Sequence, residues 1–234
     1  MRDSDSSTDA SPAYAVIPGA GSSGIVWERA LAELGGVLLP VPDEPDVRAM
    51  AVALSARVAK LPEPRVLVGA SLGAMVALEI ARSVGVDALV LIAAGFGIET
   101  SDALIDWVAA DGPDLFPKMA RASIADRDNA TLVETVTRDF EGRGQPVLLR
   151  HLHALRDYVP QPLSSPPPTL VLWGVHDHSV PLADHAELAR QCAGVLVPIA
   201  AAGHMPFFEQ PRETVRWIRR AAPLRGVLAD TVYQ

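Results

Sequence analysis

Six short runs dominated by Val, Leu, Ile and Ala, separated by longer amphipathic stretches, set the tightest limit on how these 234 residues can fold. The runs occupy residues 14–17, 37–41, 65–68, 88–93, 169–173 and 195–199. Most do not alternate with polar residues, so a sheet built from them has two faces to cover. Helical spacing over residues 26–34, 47–61, 72–84, 182–192 and 212–220 supplies that cover. Pro181 and Pro211 stand just ahead of two of these helices, where a missing amide proton costs nothing. Strands alternating with crossover helices predict the α/β class, with a mostly parallel, doubly wound sheet. Hydrophobic residues make up 49% of the chain and aromatics only 5%, so its core must be aliphatic.

The alternation lapses over residues 96–165, where no convincing strand is found and the pattern is helical, broken by polar stretches at 111–113, 126–129 and 141–145. The stiff segment Ser164-Ser165-Pro166-Pro167-Pro168 then returns the chain to the sheet. The expected organisation is a core of residues 13–95 and 166–234 interrupted by a helical insertion. Residues 1–12 read as a disordered tail, acidic and Ser-rich, without the basic and apolar regions of a signal peptide.

Charge and cysteine content exclude several function classes. With 20 Lys plus Arg against 28 Asp plus Glu the net charge is −8, and the basic residues never run longer than Arg219-Arg220, which disfavours nucleic acid and anionic membrane surfaces as partners. A lone Cys192 can form neither an internal disulfide nor a cysteine-based metal cluster. The apolar stretch 88–98 falls well short of the roughly 20 residues a membrane span needs. A soluble, cytoplasmic protein acting on a small molecule, without metal or cofactor, is expected; its oligomeric state stays open.

The most specific motif is Gly69-Ala70-Ser71-Leu72-Gly73, directly after an apolar run and directly before a helix. As a bare pentapeptide it fits an ordinary capping serine. On a strand-to-helix turn it reads as a nucleophile elbow, whose strained serine tolerates only tiny residues two places either side. There Ser71 would sit at a helix N-terminus, where the Leu72 amide and the helix dipole can hold an oxyanion. A serine of this kind needs a base and an orienting acid. Asp177 lies in the turn after the fifth run, within Gly174-Val175-His176-Asp177-His178-Ser179-Val180-Pro181, and His204 in the loop after the sixth, within Gly203-His204-Met205-Pro206. His151, His153, His176 and His178 show no convergent ligand spacing and read as ordinary helix or turn residues.

In these motifs and their order the chain resembles the α/β-hydrolase superfamily, and within it the small cofactor-independent esterases and lactonases. Trp173, Gly174, Asp177, Val180 and Pro181 match the pattern that carries the acid, and Gly203-His204 the pattern that carries the base. The resemblance implies Ser71 as nucleophile, His204 as general base and then acid, and Asp177 as the carboxylate fixing the imidazole tautomer. It also implies a second oxyanion amide, Ala20, from the loop Pro18-Gly19-Ala20-Gly21-Ser22-Ser23-Gly24, where proline stands in place of the family's histidine and leaves the register of Ala20 against Gly21 open. No Lys-Ser or Lys-Thr follows this loop, which disfavours a phosphate cradle.

The insertion is expected to cap the serine. Gly19, Gly21, Phe96, Trp107 and Met205 are the expected pocket residues, with Ile98, Leu104, Leu115, Phe116, Met119 and Leu152 as further apolar candidates. Asp106, Arg121, Arg150 and Tyr158 are candidate anchors for a polar substrate group. A carboxylic ester or lactone is the expected substrate, with diketone carbon–carbon hydrolysis or thioester hydrolysis on the same triad as alternatives. A non-catalytic receptor built on the fold is the competing class. Serine rather than aspartate at the elbow argues against dehalogenation and epoxide opening.

Overall fold

All six expected strands form and pair in one sheet in which every neighbour is parallel: β1 (Ala13–Ile17), β2 (Val37–Leu38), β3 (Arg65–Ala70), β4 (Ala88–Ile92), β5 (Thr169–Gly174) and β6 (Val195–Ile199), in the order β2-β1-β3-β4-β5-β6. The structure, a computed structural model, describes residues 11–110 and 112–222; residues 1–10 of the expected tail and 223–234 of the expected core lie outside them. A short 3₁₀ turn (Ile25–Trp27) leads into α1 (Glu28–Leu34), and α2 (Val47–Ala59) and α3 (Leu72–Ala81) follow. Between β4 and β5 come α4 (Asp102–Ala110), α5 (Leu115–Ser123), α6 (Ala130–Glu141) and α7 (Gln145–Arg156). The chain closes on α8 (Leu182–Gln191), the short α9 (Pro206–Glu209) and α10 (Pro211–Ala221).

The period-two geometry of a strand explains why the runs are continuously apolar. Val90 and Ile92 of β4 face a core that includes Trp27, Ala30, Val215 and Ile218, beneath α1 and α10. Leu89 and Leu91 face the opposite core, with Met50, Leu54, Met75 and Leu188 from α2, α3 and α8. All five residues of β4 are fully buried. Each Val, Leu or Ile so buried contributes about 1.5–3 kcal/mol, which makes this central strand intolerant of polar substitution.

The expected strand at 37–41 is shorter than its sequence pattern. Pro40 and Pro42 carry no amide proton, so only two residues of this edge strand pair regularly, although the Leu39 amide still donates to the Val16 carbonyl at 2.8 Å. Helix starts follow local capping: the Asp46 side chain accepts from the Ala49 amide at 2.9 Å ahead of α2, and Asn129 accepts from Leu132 at 3.3 Å ahead of α6.

Helices α4, α5 and α7 build a small core of their own from Ile105, Val108, Leu115, Leu148 and Leu152, while α6 packs Val133, Val136 and Phe140 into the core beneath α1 and α10. Ala20, from the loop after β1, packs into the first of these. The insertion therefore rests on the carboxyl ends of the strands. Among the described residues no helix is long and apolar enough to cross a membrane.

Candidate active site

Ser71 has φ 51° and ψ −120°, a backbone conformation that is strained for any residue but glycine, at the junction of β3 and α3. Its amide is held by the Ile92 carbonyl of the next strand at 2.9 Å, and its own carbonyl accepts from Ala74 at 2.9 Å. The two flanking glycines are obligatory for steric reasons. A Cβ on Gly69 would lie 2.3 Å from the Gly73 carbonyl oxygen, and one on Gly73 would lie 2.1 Å from that of Ile17. Leu72 opens α3, so its amide has no carbonyl of its own helix to bond and the positive end of the helix dipole points at the same place.

Asp177 and His204 arrive from neighbouring strand ends. The turn after β5 and the loop after β6 are joined by the amide of His176 donating to the Ala202 carbonyl at 2.8 Å and that of Val175 to Ile199 at 3.1 Å. Across this seam His204 Nδ1 meets Asp177 Oδ2 at 2.9 Å. The Asp177 side chain is fully covered, and its other oxygen accepts from the amides of Ser179 at 2.8 Å and Val180 at 3.1 Å. Burial alone would raise this carboxyl; the facing His204 and the two amides outweigh it and leave Asp177 below the ordinary carboxylate value, ionised at neutral pH.

The loop carrying His204 is pinned by groups that the sequence did not single out. Glu209 of α9 accepts from the Gly203 amide at 2.8 Å and, with its second oxygen, from the Ala125 amide at 2.7 Å, while the His204 amide donates to Ser123 at 2.8 Å. Burial raises the Glu209 carboxyl against the pull of those amides. Phe207 of the same helix stacks on Trp27 with ring centroids 3.7 Å apart. His185, also overlooked in the sequence, is fully buried behind Trp173 with Nδ1 on the Pro181 carbonyl at 3.1 Å, and burial lowers its basicity.

Ser71 and His204 open onto one cavity of about 290 Å³. Of the expected pocket residues, Gly19, Trp107 and Met205 line it, together with Ala20, Ile98, Leu104, Met119 and Leu152. Two stand elsewhere. Phe96 packs against the α2–α3 core and lines a separate groove beside Pro160, because the chain turns away from the sheet end at Gly97, where φ is 92°. Gly21 is turned from the cavity, its amide donating to His151 Nδ1 of α7 at 3.1 Å. Leu115 and Phe116 belong to the packing within the insertion. None of the candidate polar anchors lines the cavity. Arg150 is paired with Asp43 at the surface, at 2.5 and 2.6 Å; Tyr158 donates to Glu79 at 2.7 Å; Arg121 and Asp106 are exposed. His176 and His178 are exposed in their turn, and among the described residues no three His, Cys, Asp or Glu side chains converge as metal ligands would.

Gly19, Gly21 and Gly24 carry Gly-x-Gly-x-x-Gly spacing after β1. The loop nonetheless makes a poor phosphate cradle, because the Gly24 amide already donates to the Asp139 side chain at 2.8 Å and that of Gly21 to His151, so these amides are not free to hold an anion. A position added at Gly19 would touch Ser71 Cβ at 3.4 Å, which sets this loop directly against the serine. A hydroxyl on a strained turn, an imidazole anchored to a buried carboxylate and backbone amides at a helix start are the parts of an acyl-transfer site.

Residues 15–217 match the family model described as the alpha/beta hydrolase family. No curated protein matches the chain in sequence. Among solved structures it is similar to an esterase from Exiguobacterium antarcticum (TM-score 0.80, 17% identity, 90% of this chain and 91% of the other). It is also similar to a thermophilic esterase (0.78, 22%, 88% of each). A third likeness is to the enol-lactonase from Burkholderia xenovorans LB400 (0.75, 14%, 89% and 90%). At these identities the likeness is one of fold.

Proposed function

The chain belongs to the alpha/beta hydrolase family, and on that footing we propose that it is a serine hydrolase that cleaves a small, neutral, largely apolar carboxylic ester or lactone through an acyl-enzyme on Ser71. The observation that carries this reading is the His204–Asp177 pair at 2.9 Å, facing the cavity that also holds Ser71 on its strained turn. Ser71 Oγ attacks the carbonyl carbon and its proton passes to His204, whose other nitrogen is engaged by Asp177 and so set in the acceptor tautomer. The tetrahedral oxyanion takes hydrogen bonds from the amides of Leu72 and Ala20. His204 then protonates the leaving alkoxide, the carbon–oxygen bond breaks, and a water deprotonated by His204 releases the acid. Because the Gly21 amide is spent on His151, Ala20 is the amide the loop offers.

The insertion acts as a cap. Its residues Ile98, Leu104, Trp107, Met119, Leu148 and Leu152 supply one wall of the cavity, and its apolar character favours an acyl or ring group of modest size. Among the described residues no Lys or Arg lines the cavity, and Glu99 is the one acidic residue that does. That lining disfavours a carboxylate-bearing diketone as substrate. Acyl thioesters would acylate the same serine, and matched oxygen and sulfur esters distinguish the two leaving groups.

Incubation with a fluorophosphonate probe is expected to label Ser71, and a series of p-nitrophenyl esters to show turnover that Ser71→Ala abolishes. A folded protein that takes no label refutes the reading in favour of a receptor, and turnover that survives Ser71→Ala refutes the mechanism.

A further inference from the structure

The loop after β1, which carries Ala20, is gripped by two buried residues of the inserted helices. His151 of α7, 1% exposed, accepts the Gly21 amide at Nδ1. Asp139 of α6, with no exposure at all, accepts the Ser23 hydroxyl at 3.0 Å and the Gly24 amide at 2.8 Å on one carboxylate oxygen, and its carbonyl takes the Ser23 amide at 3.2 Å. Within the loop itself Pro18 offers neither donor nor acceptor from its ring.

We propose that His151 is a positioning residue for the oxyanion hole: by accepting the Gly21 amide it fixes the peptide next to Ala20 and keeps the Ala20 amide set for the substrate oxygen. The inference rests on the reading of Ser71 as nucleophile. Two further observations support it. First, Gly21 has φ 68°, a conformation that a loop of glycines holds only when something outside it selects one state among many. Second, Nε2 of His151 is buried and makes no well-formed hydrogen bond, although the Pro42 carbonyl faces the ring, so the imidazole bears a cost at this site that a leucine of similar volume would not. What the imidazole supplies in return is the acceptor at Nδ1.

That role needs a neutral ring. Burial and the Arg143 guanidinium hold His151 down to about 4, Arg150 adding to their effect and the Pro42 carbonyl and Asp43 opposing it. The ring therefore stays an acceptor at neutral pH. A protein of this design couples its oxyanion hole to the helical insertion, so the insertion serves the chemistry as well as the pocket.

The test compares His151→Leu, which fills the volume without an acceptor, with His151→Asn, whose amide oxygen falls near the position of Nδ1. Three quantities are read: kcat and KM on p-nitrophenyl butyrate, inhibition by an alkyl boronic acid whose tetrahedral adduct presents an oxygen to the hole, and hydrogen exchange of amides 19–24. His151→Leu is expected to lower kcat about tenfold with KM nearly unchanged, a fraction of the hundredfold or more that follows complete loss of one oxyanion donor. It should weaken the boronate by a similar factor and speed exchange in the loop, and His151→Asn should restore most of all three. If His151→Leu does not fold, His151→Phe, which keeps a ring without an acceptor, takes its place with the same expectation. Equal behaviour of the acceptor and non-acceptor variants, or unchanged loop exchange without the acceptor, overturns the proposal. The exchange measurement reads the brace even in a protein that hydrolyses no ester, so failure of the brace and failure of the hydrolase reading are distinguishable.

Discussion

The two loops that meet at Ser71 are held by different means. The turn from β3 to α3 is kept by its own main chain: glycines two residues either side, an intrahelical carbonyl bond to Ala74 and one strand neighbour, Ile92. The loop after β1 is kept by side chains from far away in the chain, with Gly21 bonded to a residue 130 positions on and Gly24 to one 115 positions on. The first arrangement is rigid as soon as the sheet forms. The second exists only when the inserted helices are docked, so the proposed site is complete only when core and insertion are assembled together.

Substitutions at the two loops should separate these modes of support. The largest effect is expected at the chemistry itself: Ser71→Ala should lower kcat on p-nitrophenyl esters by at least about a thousandfold and leave the fold intact. Asp177→Asn removes the charge opposite His204 Nδ1 and should lower kcat by about 10³-fold or more, with KM much less affected. At the rigid turn, Gly73→Ala places a methyl 2.1 Å from the Ile17 carbonyl oxygen. About 3 kcal/mol or more of stability should be lost, read as a lower urea midpoint together with lost fluorophosphonate labelling. A Gly73→Ala protein of unchanged stability would mean that this turn is less constrained than its geometry indicates.

At the braced loop the expected effects are smaller and depend on pH. His151 has its folded-state value lowered to about 4, against an ordinary 6.5. Between these values the unfolded chain binds a proton that the folded chain refuses, so this contribution is complete above about pH 6.5 and is lost as pH falls toward 4. Its size is about 3 kcal/mol, and in urea titrations across that window His151→Asn should flatten the dependence. Arg150→Ala, on the outer face of the same helix and paired with Asp43 in solvent, should change neither kcat nor the thermal midpoint appreciably. A large effect there would show that α7 supports the loop by its packing rather than through His151.

What could be read from sequence follows the same division. Strand positions, parallel pairing, the elbow and the Ser71, Asp177, His204 order are each written in a few consecutive residues, because periodicity and steric crowding act over that range. β2 is shorter than its apolar run because two prolines lack the donor that pairing needs. His151, Asp139, Glu209 and His185 carry no local signature: as residues in or beside helices they look ordinary, and their importance comes from what they touch. Phe96 and Gly21 were expected at the cavity by proximity to motifs, and the turn of the chain at Gly97 and the Gly21–His151 bond place them elsewhere.

By itself the sequence determined the α/β architecture, the turn on which Ser71 sits and the strand-end turns that carry Asp177 and His204, since each depends on backbone sterics and hydrophobic period within one element. Only the tertiary structure decided which loop amide is left for a substrate oxygen, which apolar side chains form the cavity and which buried groups hold the loops still. Those outcomes depend on hydrogen bonds between segments more than a hundred residues apart, and such bonds exist only after the sheet and the inserted helices have excluded water from the space between them.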